Sequence, residues 1–141
     1  MTDLEQAKRL LQQENYTLVL QKGSHVITKT ERGVKPLMDL LQSGASFAGY
    51  CAADKVVGKG AALLYVLLGV SAVYAQTVSV CAKEVLQSAG ISLTAGEVVP
   101  RILNRTQTGF CPIEECVLQI SSPKEALLAI RERLKTLSSS T

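Results

Sequence analysis

The chain has 141 residues, of which 47% are hydrophobic and 19% are charged, so it is long and apolar enough to bury one core. Its net charge of +3 is small and its basic residues are scattered, so no nucleic-acid partner is expected. The longest apolar run, 60–75, is shorter than the ~20 residues that span a bilayer, which argues against a membrane segment. We expect one domain over 1–137, followed by a flexible tail over 138–141.

The start of the chain is polar and acidic, unlike a secretion signal, and its four cysteines are widely spaced, as in proteins of a reducing compartment. A cytoplasmic location is therefore expected.

The first third of the chain carries the signals of two helices and a hairpin. Thr2 and Glu5 match a capping box, Gly23 lies in a turn between two β-rich runs, and Pro36 fits the first turn of an amphipathic helix. His25, the only histidine, falls at the mouth of the hairpin and is expected on the surface. The predicted elements are a helix to about Glu14, strands at 16–20 and 25–28, and a helix over 34–41.

The central stretch, 47–68, predicts a buried strand that runs directly into a buried helix. Polar residues, including Asp54 and Lys59, are confined to the junction. Gly58 and Gly60 let the backbone turn tightly there and leave the first helical N–H groups without partners. Such a junction at the carboxyl end of a strand is typical of a ligand site.

The second half of the chain continues the alternation of strands and helices. Gly90 ends one predicted helix, Pro100 stops the following strand, and Ser122 with Pro123 begins the last helix. The alternation predicts an α/β fold, a three-layer α/β/α sandwich around a mixed sheet. The predicted elements are strands at 70–75 and 91–99, a helix over 77–89, and a final helix to Leu137.

Gly58-Lys59-Gly60 is the first candidate site. The segment is not a Walker loop, because Ala53 and Gly60 stand where that motif needs glycine and serine or threonine. A lysine and bare N–H groups at a buried helix start would still attract a phosphate or a carboxylate. Two interpretations remain equal at this point: an anion site, or glycines that only permit close packing beside a solvated lysine.

Cys111 lies in a second candidate site, an irregular connection over 100–116. It precedes Pro112, as the N-cap of a short helical turn would, and a helix start favours a thiolate whereas the nearby Glu114 opposes it. The thiol is therefore a candidate nucleophile, or a half-buried side chain that packs against Phe110. No metal site is predicted, because no set of cysteine and histidine ligands has the required spacing.

Three stretches together resemble an uncharacterised bacterial and archaeal family, a domain of unknown function whose members have a cytidine deaminase-like fold. The stretches are ERGVKPL at 31–37, ADKVVGKGAA at 53–62, and ILNR at 102–105 followed by CPIE at 111–114. The resemblance implies a cytidine deaminase-like α/β/α sandwich and no established activity.

The sequence departs from working zinc deaminases, which carry His-x-Glu or Cys-x-Glu at one helix start and Pro-Cys-x-x-Cys at the next. Gly58-Lys59-Gly60 stands at the first position, and the second keeps Cys81 but has Glu84 as its other residue. Zinc-dependent deamination is therefore not expected, and no cofactor is implied. The resemblance places the pocket near Asp54, Lys59, Asn104, Arg105, Cys111 and Glu114.

Two functional hypotheses follow, and the first is preferred. In the first, the domain binds a small anionic metabolite or nucleotide-like ligand, with Lys59 and Arg105 supplying charge and Asp54 or Asn104 supplying hydrogen bonds. In the second, the domain is a cysteine-dependent enzyme of transfer or sulfur chemistry. Its nucleophile is Cys111, its proton carrier is Glu114 or Asp54, and its anion-stabilising groups are the N–H groups of 58–60. The sequence leaves a homo-oligomer open.

Overall fold

The structure, a computed structural model, describes residues 2–103, 109 and 111–139, without the side chains of 138 and 139. Five strands and six helices alternate along these residues. In chain order they are α1 (Asp3–Gln13), β1 (Leu18–Lys22), β2 (His25–Lys29), α2 (Lys35–Gln42), β3 (Cys51–Val57), α3 (Lys59–Leu68), β4 (Ala72–Ser79), α4 (Val80–Ser88), β5 (Ser92–Val99), α5 (Pro112–Cys116) and α6 (Pro123–Ser139).

The strands form one mixed sheet in the order β2-β1-β3-β4-β5. β1 pairs antiparallel with both β2 and β3, whereas β3, β4 and β5 are parallel. Parallel neighbours need crossover connections, which α3 and α4 provide. The α/β class and the mixed sheet predicted from the sequence are confirmed.

Two buried clusters lie on opposite faces of the sheet. Leu18 and Leu20 belong to the larger cluster and Val19 to the smaller one, as successive residues of a strand point to opposite faces. Helix α1 covers the smaller cluster, to which it contributes Ala7 and Leu11. Helices α2, α3, α4, α5 and α6 contribute to the larger cluster, with α3 packed against both α4 and α6.

The alternation of faces shifts by one residue near the carboxyl ends of the parallel strands. Ala52 and Val57 belong to the same cluster although they are five positions apart, which in a regular strand would place them on opposite faces. The pairing skips Gln76 of β4 and Gly96 of β5. A Cβ atom on Gly96 would lie 2.7 Å from the carbonyl oxygen of Gln76, so the close approach of the two backbones needs glycine here.

The boundary between β4 and α4 differs from the sequence prediction. A helix was expected from Thr77, but β4 continues to Ser79 and α4 begins at Val80. The side chain of Ser79 accepts a hydrogen bond from Ala82 N–H, which fixes the helix start three residues later than expected. Thr77 and Val78 are β-branched and fit the pleated strand.

Other boundaries agree within a few residues. The capping box of Thr2 and Glu5 is present at the start of α1, and the hairpin turns over Gly23 and Ser24. Helix α6 runs to Ser139 and so takes in two residues of the expected tail, while 140–141 lie outside the described residues. No helix in the described part of the chain is long and apolar enough to cross a membrane.

Candidate functional site

The start of α3 is capped by a carboxylate from another helix. Gly58 is the N-cap residue and has no side chain to bond the first turn. Glu114 of α5 takes this role: its Oε1 accepts Lys59 N–H at 2.8 Å and its Oε2 accepts Gly60 N–H at 3.0 Å. The predicted anion-binding N–H groups are therefore already bonded, to a carboxylate of the chain itself.

The two glycines make room for this contact. A Cβ atom on Gly58 would lie 2.4 Å from Glu114 Oε1, and one on Gly60 would lie 2.9 Å from Ile113. Both distances are shorter than van der Waals contact. The sequence interpretation was that the glycines permit close packing of the helix on the sheet. In the structure they permit close packing of α5 and let Glu114 reach the helix start.

Cys111 and Glu114 are brought to the same short helix. Cys111 is the N-cap residue of α5, as expected, and it is half-buried. Cys116, at the other end of α5, donates to the carbonyl oxygen of Ile113 at 3.2 Å, and burial raises its pKa. Asn104 and Arg105, which the sequence placed in the same site, lie outside the described residues.

Lys59 has a different role from the glycines on either side of it. It lines a groove of about 440 Å³ between α3, α4 and the start of α6. The lining is largely apolar and includes a lysine, a glutamate, a thiol and two serines. The lining residues are Lys59, Leu63, Val66, Cys81, Glu84, Val85, Ser88, Ala89, Ser121 and Pro123.

The ammonium group of Lys59 is lightly engaged. It donates to the carbonyl oxygen of Leu118 at 3.1 Å, and within the described residues it forms no ion pair. An ammonium has three N–H donors, so one neutral acceptor leaves capacity for a second partner. Lys59 can therefore contribute positive charge to a molecule held in the groove.

Sequence reasoning did not identify Cys81 and Glu84 as neighbours of Lys59. Helices α3 and α4 each follow a parallel strand, so their first turns lie at the same edge of the sheet. Cys81 is in the first turn of α4 and is exposed, and Glu84 is also exposed, one turn further along. The spacing of Lys59, Leu63 and Val66 could have revealed one wall of the groove, but not its opposite wall.

Asp54 lies away from the helix start. It is in the interior of β3 and faces α3, where Oδ2 accepts the hydroxyl of the fully buried Tyr65 at 2.6 Å. Oδ1 accepts Val56 N–H at 3.3 Å. The sequence prediction that Asp54 belongs to the polar junction is thus corrected, because the strand continues to Val57 and turns this carboxylate inward.

The surroundings of Asp54 disfavour its charge. The residue keeps part of its surface accessible, but its carboxylate loses much of its hydration, and this raises the pKa of Asp54 to about 7. The hydrogen bond from Tyr65 acts in the opposite direction and lowers the pKa, without offsetting the desolvation. The pKa of Tyr65 is raised, first by burial and then by the nearby carboxylate.

The positions at which the resemblance would place deaminase zinc ligands do not form a metal-binding cluster in the described residues. No group of three histidine, cysteine, aspartate or glutamate side chains converges there. The first position holds Gly58-Lys59-Gly60, which has no metal-ligating side chain at neutral pH. Cys81 and Glu84 remain at the second, on the groove.

The fold matches that of a known protein. The crystal structure of a DUF1893 family protein (TM1506) from Thermotoga maritima superposes with a TM-score of 0.87 and 23% sequence identity, over 94% of this chain and 91% of that one. At this identity the match shows the fold alone. No curated protein matches this chain.

A family comparison covers most of the chain. The sequence model of the protein family described as TM1506, domain of unknown function (DUF1893), matches residues 6–134. This range takes in β3, the start of α3, α5 and all the lining residues of the groove. The chain therefore belongs to DUF1893, a family of unknown function.

Proposed function

We propose that the domain binds a small molecule with an apolar body and one anionic group in the groove between α3, α4 and α6. The observation that carries this proposal is the position of Lys59, a lysine without a carboxylate partner in the described residues at the edge of an apolar concavity. Ligand sites are commonly apolar concavities with a few polar groups that fix orientation.

The groove sets limits on the ligand. Leu63, Val66 and Val85 offer contact to an apolar or aromatic body, and Lys59 marks the end where the negative group belongs. Glu84 lies on the opposite wall and would repel a second negative charge. A monoanion is therefore a better fit than a ligand with several phosphates.

The N–H groups of Lys59 and Gly60 are not part of this proposal, because Glu114 occupies them. This separates the side chain of Lys59 from its backbone. Replacing the side chain leaves the bonded N–H group in place, so a variant at this position tests the charge without removing the cap.

We propose further that the fold is cytidine deaminase-like and that hydrolytic deamination has been lost. In support, α3 and α4 begin at neighbouring strand ends, where the resemblance places the two zinc-binding motifs, and the first of these starts lacks both a ligand and a glutamate proton shuttle. A cytoplasmic location completes the proposal, supported by the four free cysteines in the described residues.

A cysteine-dependent activity is the second candidate. It is favoured by one observation, the convergence of Cys111, Glu114 and the start of α3. Glu114 would have to leave the N–H groups of α3 before they could stabilise a developing negative charge. Binding in the groove needs no such rearrangement, and we prefer it for that reason.

Thermal-shift measurements with the wild-type chain test the binding proposal. Cyclic nucleoside monophosphates, whose phosphodiester carries a single negative charge, and short aryl or alkyl carboxylates are the probes, each at millimolar concentration. A ligand that binds only the folded state raises the melting temperature, and the rise grows with the ratio of ligand concentration to dissociation constant. Stabilisation by at least one monoanion is expected, and no stabilisation by any of them would contradict the proposal.

A further inference from the structure

The two edge strands of the sheet differ in how well they are protected from pairing. β2 has five residues and carries Lys29 at one end and His25 at the other. β5 has eight residues, contains no proline and has Glu97 as its only charge. Natural sheets usually shorten, charge or cover their edges to prevent unwanted pairing. By this criterion, and within the described residues, β2 is a protected edge and β5 is not.

We propose that β5 is an interface at which two copies of this chain pair antiparallel about a two-fold axis. Strand addition at a free sheet edge needs only main-chain hydrogen bonds and compatible side chains. β5 lies at the end of the strand order and pairs only with β4 in the described residues. Pairing joins the two five-stranded sheets into one continuous sheet.

The side chains of β5 are compatible with this arrangement in one register. Residues that face each other across an antiparallel pair must lie on the same face of the sheet. With Ala95 opposite Gly96 of the second copy, Leu93 is opposite Val98 and Thr94 is opposite Glu97.

The face assignments of β4 support this register. Leu93 packs against the larger core cluster, and Val98 pairs with Val78, which belongs to the same cluster. Thr94 pairs with Tyr74, which belongs to the cluster on the other face. Glu97 pairs with Thr77. Thr77 precedes Val78 in β4 and therefore points to the face opposite Val78, the face of Tyr74, so Glu97 lies on that face as well.

The shift of alternation at Gly96 is what makes the register possible. In a regular strand Leu93 and Val98 would lie on opposite faces, because they are an odd number of residues apart. With the shift, apolar residues oppose apolar residues on one face and polar residues oppose polar residues on the other. The two Glu97 carboxylates oppose threonines rather than each other, which avoids like-charge repulsion.

Val98 is the side chain expected to lose the most solvent exposure on pairing. It is 46% exposed in the single chain, although its neighbour in β4, Val78, is fully buried. In the proposed dimer it faces Leu93 of the second copy. A charged side chain at this position would then be placed against an apolar one.

The test compares Val98→Lys with Val26→Lys. Val26 is a valine of similar exposure, 41%, on the opposite edge strand β2, so it controls for the loss of an exposed valine. Sedimentation equilibrium over micromolar concentrations should give the wild type and Val26→Lys a mass of about twice 15.1 kDa. Val98→Lys should dissociate roughly tenfold more readily or worse. Circular dichroism confirms that each variant is folded.

Two outcomes would overturn the proposal. If the wild type has the monomer mass of 15.1 kDa at all concentrations, self-pairing is excluded. The edge of β5 would then be available only to a strand of another protein. A dimer that is weakened equally by both lysine substitutions, or only by Val26→Lys, would place the interface away from β5. Amide hydrogen exchange should agree, with dilution removing protection from residues of β5 and not from those of β2.

Discussion

Helix α3 meets two carboxylates, and they are held in opposite ways. Glu114 lies at the positive end of the helix and accepts two backbone N–H groups. Asp54 lies beside the middle of the helix, where it accepts the hydroxyl of Tyr65 and burial raises its pKa to about 7. The sequence hypotheses gave both carboxylates to one site. The comparison shows that the hydrogen-bond donors around a carboxylate decide whether it stays charged and caps a helix. Its distance along the chain from a glycine-rich turn does not decide this.

The largest expected effect concerns Asp54 and pH. The pKa of Asp54 in the folded chain, about 7, lies above the ordinary value of 3.8 for an aspartate, so the folded state binds the proton more tightly than the unfolded state does. The resulting stabilisation is complete below about pH 4 and is lost as the pH rises through 7. The loss is on the order of 4 kcal/mol, from about three pKa units.

Asp54→Asn should remove this dependence, because asparagine keeps an acceptor for Tyr65 and has no charge to desolvate. Urea unfolding at pH 5 and pH 8 measures it. The variant should be the more stable protein at pH 8 and should lose less stability between the two values. Asp39→Asn, a change at an exposed carboxylate, is the control and should keep the wild-type slope. If Asp54→Asn also shows the wild-type change in stability between pH 5 and pH 8, then Asp54 does not titrate as described.

The next effect concerns Glu114. Glu114→Ala leaves two N–H groups at the start of α3 without their acceptor, which should reduce the free energy of unfolding by about 1–3 kcal/mol. Glu115→Ala removes a neighbouring exposed carboxylate and should change it by less than about 0.5 kcal/mol. Urea titrations of the two variants make the comparison.

A second result should distinguish the two variants. With Glu114 absent, added inorganic phosphate can reach the bare N–H groups, so it should stabilise Glu114→Ala more than the wild type. Equal destabilisation by Glu114→Ala and Glu115→Ala would mean that the carboxylate of Glu114 does not hold the helix start.

The smallest effect is a difference in labelling rate and does not involve stability. Cys81 is exposed on the groove, whereas Cys111 is half-buried at the start of α5. Because alkylation needs access and a thiolate, Cys81 should react with iodoacetamide before Cys111, and Cys116, whose pKa is raised, should react slowly. Mass spectrometry of a short time course gives the order. Fastest reaction at Cys111 would favour the cysteine-dependent enzyme instead.

Much of the fold followed from local signals. The capping box at Thr2 and Glu5 depends on residues close together in sequence. The succession of buried strands and helices does too, so both can be read from the sequence directly. The end of β4 was misplaced because Ser79 and Thr77 are both acceptable helix starts, and tertiary pairing with β5 decided between them. Gln21, expected in a turn, is instead a buried residue of β1.

The candidate site was harder to predict because it depends on contacts between distant residues. The sequence indicated that Glu114 and Gly58-Lys59-Gly60 belong together, but not that the carboxylate would bond the very N–H groups proposed for a ligand. Tyr65 gave a usable signal, since a hydroxyl within an apolar helix must find a partner. The groove gave a signal for one wall only, the spacing of Lys59, Leu63 and Val66 on α3, because the packing of α4 and α6 against that wall cannot be read from any one segment.

The proposal that the groove binds a monoanion through Lys59 is tested most directly by isothermal titration of the best-stabilising probe into three proteins. These are the wild type, Lys59→Ala, and Lys83→Ala, a lysine of α4 that does not line the groove. Lys59→Ala should weaken binding by about 1–3 kcal/mol, the cost of a lost charge-assisted hydrogen bond, and Lys83→Ala should bind as the wild type does. Equal affinity of all three proteins would show that Lys59 holds no ligand and would contradict the account.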